Sequence, residues 1–438
     1  MPAEAPAQDT LVAADDAIRS IESFDPAGCR CVNRPMRAAC AAHRRTVGSR
    51  TERRSAIRIM ATIRRGRAPA SPQGTGHPAV RSSLVQNPFM TDLTIAICNY
   101  NHGAYLRDAI DSALAQTVHG VRVLVVDDGS TDDSRDIIHS YGERVTAVFQ
   151  ENRGQVAAYN RALEHVATRY VILLDADDLL YADAAARVLA AFASGDFVKV
   201  HFRLDVIARD GAMTGASVPQ QSVDTDCGRL LRAGWLYPSP PASGNAYRVD
   251  ALKRIFPVPV TPDNLHGADF YAIYGIALLG AVHMIDATLG GYRVHQQPDS
   301  RPVADTPALA LTNSEDAATG ALKAERRWAT LRTLAGTRLH EALPIAPLDF
   351  AIEKARFAST LYHAPLVRRW RWFLCESGRY WHTVLRNPFW RPAKKVAVAG
   401  LSLACLLPSS TLSNRAIRYI SNPLARVRKS SGQRVGTR

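Results

Sequence analysis

The sequence predicts an α/β fold on an open, mostly parallel sheet, followed by a basic helical extension. Three observations predict it. Between residues 93 and 175, short apolar runs alternate with segments of helical period. Each apolar run gives way to polar or acidic residues. Charge is also divided along the chain: residues 91–300 carry 17 Lys and Arg against 25 Asp and Glu, whereas residues 301–438 carry 23 against 8.

Leu93–Cys98 is a continuous apolar run, as expected of a parallel strand covered on both faces. Tyr105–Gln116 follows as an amphipathic helix, with Leu106, Ile110, Ala113 and Leu114 on one face. Arg122–Asp127 is the second strand, Ser134–Ser140 opens the next helix and Val145–Phe149 is the third strand. Gly154–Ala167 reads as helix and Tyr170–Asp175 as the fourth strand. Such alternation implies right-handed crossovers. Ligands of such sheets collect outside the carboxyl ends of the strands, so the residues just after each run carry the functional reading.

The 438 residues suggest two or three domains. Residues 1–90 are rich in Ala, Arg, Pro and Ser without sustained period, and read as a disordered or spurious extension. Met90 stands directly before the first strand, so translation from Met90, or from Met60, is an expectation that an intact mass would check. Residues 91–301 form the catalytic domain on this reading and residues 302–438 the basic helical region. An acidic middle between basic ends argues against a protein that coats nucleic acid. The seven cysteines are few and scattered, which points to a reducing compartment. Cys29, Cys31, Cys40 and His43 fit no common zinc spacing. The chain opens on polar and acidic residues, unlike a secretory signal. No apolar run reaches the ~18–20 residues of a spanning helix. Val396–Leu407 comes nearest.

The strand ends read Cys98-Asn-Tyr-Asn101, Asp127-Asp-Gly-Ser-Thr-Asp132 and Asp175-Ala-Asp-Asp178, and Asn152-Arg-Gly-Gln155 leads into the helix after the third strand. Three carboxylates within four residues repel one another in a confined site, and a divalent cation relieves that. Mg²⁺ and Mn²⁺ take oxygen ligands and share them with substrate phosphates. Taken singly, Asp127, Asp128, Asp177 and Asp178 also suit turns and helix caps. Their recurrence at two strand ends favours a bound diphosphate.

In order and spacing these motifs resemble the family 2 glycosyltransferases, of the GT-A fold, over roughly residues 93–301. The resemblance implies that Asn99, Tyr100 and Asp127, with Asp128, hold the nucleobase and ribose, and that Arg153 contacts the nucleotide. Asp175 and Asp177 match the Asp-any-Asp motif, with Asp177 the direct metal ligand. Ser243-Gly-Asn245 resembles the segment lining the sugar pocket. Gly-Ala-Asp269 stands where members carry Glu-Asp before a helix, which makes Asp269 the general base, although Ala268 replaces the Glu. Tyr292-Arg-Val-His295 resembles the closing element, where His295 completes the metal shell or touches the diphosphate. Cys98-Asn99 departs from the family's Pro-Thr. The alternative for Asp269 is a charge favouring a helix N-terminus, and for His295 a surface histidine after a strand.

The resemblance implies inverting transfer of a sugar from a nucleotide-diphospho-sugar, a UDP-sugar by family preference, to a carbohydrate or glycolipid hydroxyl. It also implies dependence on Mn²⁺ or Mg²⁺, and with the cysteine usage the expected location is cytoplasmic. A helix over Asp316–Leu334 opens the extension. From Pro365 onward there are 15 Lys and Arg and one acid, Glu376, with Trp370, Trp372, Trp381 and Trp390 among them. That mixture suits peripheral contact with an anionic membrane at its cytoplasmic face, against the alternative of a solvated helical subdomain. Nucleic acid is not an expected partner. Two rival functions share the fold. A nucleotidyltransferase would carry a Gly-rich basic loop after the first strand, which Asn99-Tyr-Asn-His102 lacks. A non-catalytic nucleotide-sugar binder would have less reason to keep Asp127, Asp175, Asp177 and Asp269.

Overall fold

The structure, a computed structural model, describes residues 92–221, 223, 226–295 and 317–421, all within one compact unit. The cysteine-histidine group at 29–43 and both candidate start sites lie outside the described residues.

Among the described residues, nine strands form one sheet in the order β3-β2-β1-β4-β8-β6-β9-β5, with β7 off this path and paired with β6. They are β1 (Leu93–Asn99), β2 (Arg122–Asp127), β3 (Thr146–Phe149), β4 (Tyr170–Asp175), β5 (Leu179–Leu180), β6 (Phe197–Ile207), β7 (Met213–Val218), β8 (Asn245–Arg248) and β9 (Ala281–Arg293). β1 to β4 run parallel. β8 is antiparallel to both β4 and β6, which returns β6 to the direction of β4, and β9 runs parallel to β6. The sheet is thus parallel in its first half and mixed beyond β4, with six of the nine strands in one direction. β5 and β7 are antiparallel to their partners.

The continuous apolar runs follow from burial on both faces. Ile95, Ile97, Val123, Val125, Ile172 and Leu174 point into one apolar layer. Ala96, Leu124, Val126, Val171 and Leu173, their neighbours along the strands, point into the other. The first layer is closed by α1 (Gly103–Leu114), α2 (Ser134–Ser140) and α4 (Ala184–Ala193). The second is closed by α3 (Gln155–His165), α5 (Cys227–Arg232), α6 (Val249–Leu252) and the turn of helix α7 (Ala268–Phe270), which continues irregularly to Leu278.

α8 (Ala317–Leu334) also closes the second layer. Trp328, Leu331 and Leu334 join the cluster that holds Phe270 and Tyr271. Then come α9 (Phe350–Leu361), α10 (Leu366–Arg371), α11 (Gly378–Leu385), α12 (Pro392–Leu403) and α13 (Ser410–Ser421). The helix expected over Asp316–Leu334 is α8. The apolar run Val396–Leu407 is divided: Leu401 and Cys405 are buried, while Val396 and Leu403 are exposed. No helix among the described residues is long and apolar enough to cross a membrane.

Candidate active site

Strand register assembles the site. Asn99 lies beside Asp127 across β1 and β2, and Cys98 beside Asp175 across β1 and β4. The polar ends of three parallel strands therefore meet at one sheet edge. This edge includes the point where chain connections diverge, β2 and β3 to one side of β1 and β4 to the other.

The Asp-Asp-Gly-Ser turn is internally bonded. Asp127 is fully buried: its carboxylate accepts from Asn99 Nδ2 at 2.8 Å, Ser130 N at 3.0 Å and Ser130 Oγ at 2.6 Å. Asp128 accepts from Gln150 Nε2 at 2.6 Å, Arg153 N at 3.0 Å and Gly154 N at 2.8 Å. These carboxylates shape the loops around them. Gly129, at φ +76°, is required here, because a Cβ would meet the backbone N of Asn152. Tyr100 and Arg153 expose their side chains at the same edge. A cavity of about 540 Å³ opens against Gly129, Ser130, Thr131 and Asn152. Asn245 is likewise buried and donates to the carbonyls of Pro241 at 2.7 Å and Ala242 at 3.2 Å, which fixes the Ser243–Asn245 segment.

The second acidic turn divides its labour. Asp178 is buried and accepts from Ser243 Oγ at 2.6 Å and Arg293 N at 2.8 Å, joining the ends of β4 and β9 to the loop before β8. Burial, and then repulsion from Asp177, push its pKa up to about 8. Asp177 contacts His295 Nε2 at 2.6 Å. Burial opposes its charge, but His295 and His102 outweigh that and hold its carboxyl below the usual range. Asp175 is raised well above that range by burial and by Asp178, Asp177 and Asp269. Asp269, at the first turn of α7, is raised by burial and held back by Arg327. The carboxylates of Asp175, Asp177 and Asp178 therefore share one field, to which Asp269 adds at Asp175.

His102, Asp177 and His295 place one donor atom each within 4.8 Å of one another. Two imidazoles and a carboxylate form a donor set that suits a divalent transition ion such as Mn²⁺, so the residues present fit one. The pattern that singled out Asp177 and His295 passed over His102, which ends the loop between β1 and α1 with no motif of its own. Arg293 supports the group. It donates to the carbonyls of Asp177 at 2.7 Å and Arg209 at 2.9 Å, and to Asp108 Oδ2 at 3.0 Å, while covering the Tyr105 ring. Tyr105 in turn lies 5.1 Å from the His295 ring, centre to centre.

Residues 94–256 match the family described as glycosyl transferase family 2. This domain belongs to that family. Its sheet, with most strands in one direction and acidic turns at their carboxyl ends, is the α/β, GT-A arrangement expected of family 2. An uncharacterized glycosyltransferase of Nostoc sp. strain PCC 7120 is 35% identical over 209 residues, 46% of this chain and 65% of the relative. Glycosyltransferase GlyA of Streptococcus pneumoniae serotype 4 is 37% identical over 94 residues, 21% of this chain and 14% of that protein. The chain thus spans less than two thirds of the length of these relatives. Among solved structures, Staphylococcus aureus TarS residues 1–349 with UDP is 13% identical, covering 76% of this chain and 90% of that one at a TM-score of 0.40. The mannosyltransferase PcManGT of Pyrobaculum calidifontis with GDP-Man and Mn²⁺ is 17% identical, covering 76% and 86% at 0.40.

Proposed function

We propose that this chain transfers a sugar from a nucleotide-diphospho-sugar to an acceptor hydroxyl, with inversion, and that it requires a divalent ion. The observation that carries this reading is the grouping of Asp177 with His102 and His295 at the carboxyl edge of a family 2 domain, with the charge of Asp269 felt at Asp175. His102, Asp177 and His295 would hold the ion. A bound Mn²⁺ would supply Lewis-acid neutralisation of a leaving diphosphate, and two imidazoles among the donors favour it over Mg²⁺. Tyr100 and Arg153 are exposed at the nucleotide end on this reading, with Asn99, Asp127 and Asp128 shaping the loops that present them. Asp269 takes the acceptor's proton. Burial raises its affinity for that proton toward the working pH, which suits a general base worth ~10²–10⁴-fold.

Asp269→Asn should abolish transfer and leave nucleotide-sugar binding intact; turnover near the wild-type rate removes the base assignment. EDTA should stop activity and Mn²⁺ or Mg²⁺ restore it, whereas full activity in EDTA removes the metal role. The donor, a UDP-sugar on this reading, is identified by a thermal-shift screen of nucleotide sugars with and without Mn²⁺.

For the acceptor we infer a carbohydrate or glycolipid in polysaccharide or cell-envelope synthesis, met at the cytoplasmic face of an anionic membrane. Support comes from Val367, Trp370 and Leu374, which recur at helical spacing on α10 and its continuation and are all exposed. Arg368 and Arg371 are exposed beside them. Vesicles containing phosphatidylglycerol should float the protein at low salt and release it at high salt. Equal binding to neutral vesicles would count against the electrostatic part.

A further inference from the structure

We propose that Arg327, on the helix that follows the catalytic domain, is a positioning residue that holds the Asp269 carboxylate ready to accept a proton. The proposal rests on the assignment of Asp269 as the base.

Placement argues for it first. α8 is anchored by Trp328, which is fully buried and donates from Nε1 to the Pro344 carbonyl at 2.9 Å. Leu331 and Leu334 extend that anchor into the layer that holds Phe270 and Tyr271. Arg327, the residue before Trp328, therefore leaves the helix in a direction set by the core. Its guanidinium lies against Gly267, so closely that a Cβ there would collide with it. Gly267 itself sits at φ +83°, and its N–H is held by Gln155 Oε1 at 2.8 Å. Asp269 follows two residues later, at the first turn of α7.

The surroundings of Asp269 then show what a cation does there. Asp175 at the end of β4 feels its charge, as do Tyr159 on α3, Tyr247 on β8, Tyr292 on β9, and Tyr271 and Tyr274 on its own irregular helix. Burial drives the Asp269 carboxylate to keep its proton. Arg327 opposes that drive, together with the N–H groups of Asp269 and Phe270. A base that kept its proton at working pH would be no base, so the C-terminal helix completes the active site electrostatically.

The test uses the full chain labelled with aspartate carrying ¹³C at its side-chain carboxyl. The Asp269 signal is assigned by its loss in Asp269→Asn. Titrations of the wild type, Arg327→Met, Arg327→Gln and Arg327→Lys are then compared without any substrate. Losing the cation should raise the Asp269 midpoint by about one unit, a tenfold gain in proton affinity, in the Met and Gln variants. Arg327→Lys should return most of it. A midpoint unmoved in whichever neutral variant folds overturns the proposal, even if stability falls. The base assignment fails separately, if Asp269→Asn still transfers sugar.

Discussion

Lys199 is wholly buried on β6, where its ammonium donates to Ser239 Oγ at 2.9 Å and lies 5.2 Å from the centre of the Tyr237 ring. Burial lowers its pKa from 10.5 to about 7. A base depressed in the folded state binds fewer protons there than in the unfolded chain. Its contribution to stability is full above pH 10.5 and is lost as pH falls through 7. Lys199→Met should therefore flatten the rise of Tm between pH 7 and 10, and be the more stable protein near pH 7 by a few kcal/mol at most. Parallel Tm–pH curves for the two proteins would show that the ammonium is not what the fold pays for. Single residues also show where sequence reading stops. Asp177 and His295 stand out in the sequence because each closes a recognisable motif. His102 and Arg327 do not, because only chain closure carries them to the acidic turn and to Gly267. Asp178, taken singly, reads as a turn or cap residue, whereas it is the joint between three loop ends.

Among the elements, α3 positions the turn that carries Asp269 as well as covering the sheet. Gln155 Oε1 accepts from the N–H groups of Gly267 and Ala268 at 2.8 and 3.3 Å. Asn160 donates to the Val258 carbonyl at 2.9 Å and accepts from the Val258 N–H at 2.8 Å. Asn160→Ala leaves both backbone groups of Val258 without those partners, so it should cost roughly 1–3 kcal/mol. Urea melts should show a lower midpoint with an unchanged m-value, and an unshifted midpoint would mean that water replaces the amide. β1, β2 and β4 were legible because burial on both faces makes each a continuous apolar run. β6, β8 and β9 were not. Lys199, His201, Arg203 and Asp205 interrupt the apolar pattern of β6, and register shifts break its pairing with β9. Tertiary packing decides such strands more than local pattern does.

At the scale of the whole molecule, the change of charge near residue 301 suggests a boundary that packing does not respect. Residues 91–300 are net acidic and the remainder strongly basic, yet α8 inserts Trp328, Leu331 and Leu334, with Ala335 just beyond it, into the layer beneath β1, β2 and β4. Arg232 on α5 meets Glu341 beyond α8 at 2.6 Å, and the Leu236 N–H donates to the Leu348 carbonyl at 3.3 Å. Charge records what the surface meets, whereas the core is closed by apolar side chains that scarcely register in a charge count. Trp328→Ala should therefore cost about 3–5 kcal/mol, the range for an emptied aromatic site. A chain ending at residue 301 would leave Phe270, Tyr271 and Ile273 uncovered on that face, and the helix that carries Asp269 unsupported. It should lose near-ultraviolet circular dichroism and cooperative melting while keeping some secondary structure. If that shortened chain melted cooperatively at the full-length Tm, the C-terminal helices would be an appendage, and Arg327 would lose the rigid seat from which it acts on Asp269.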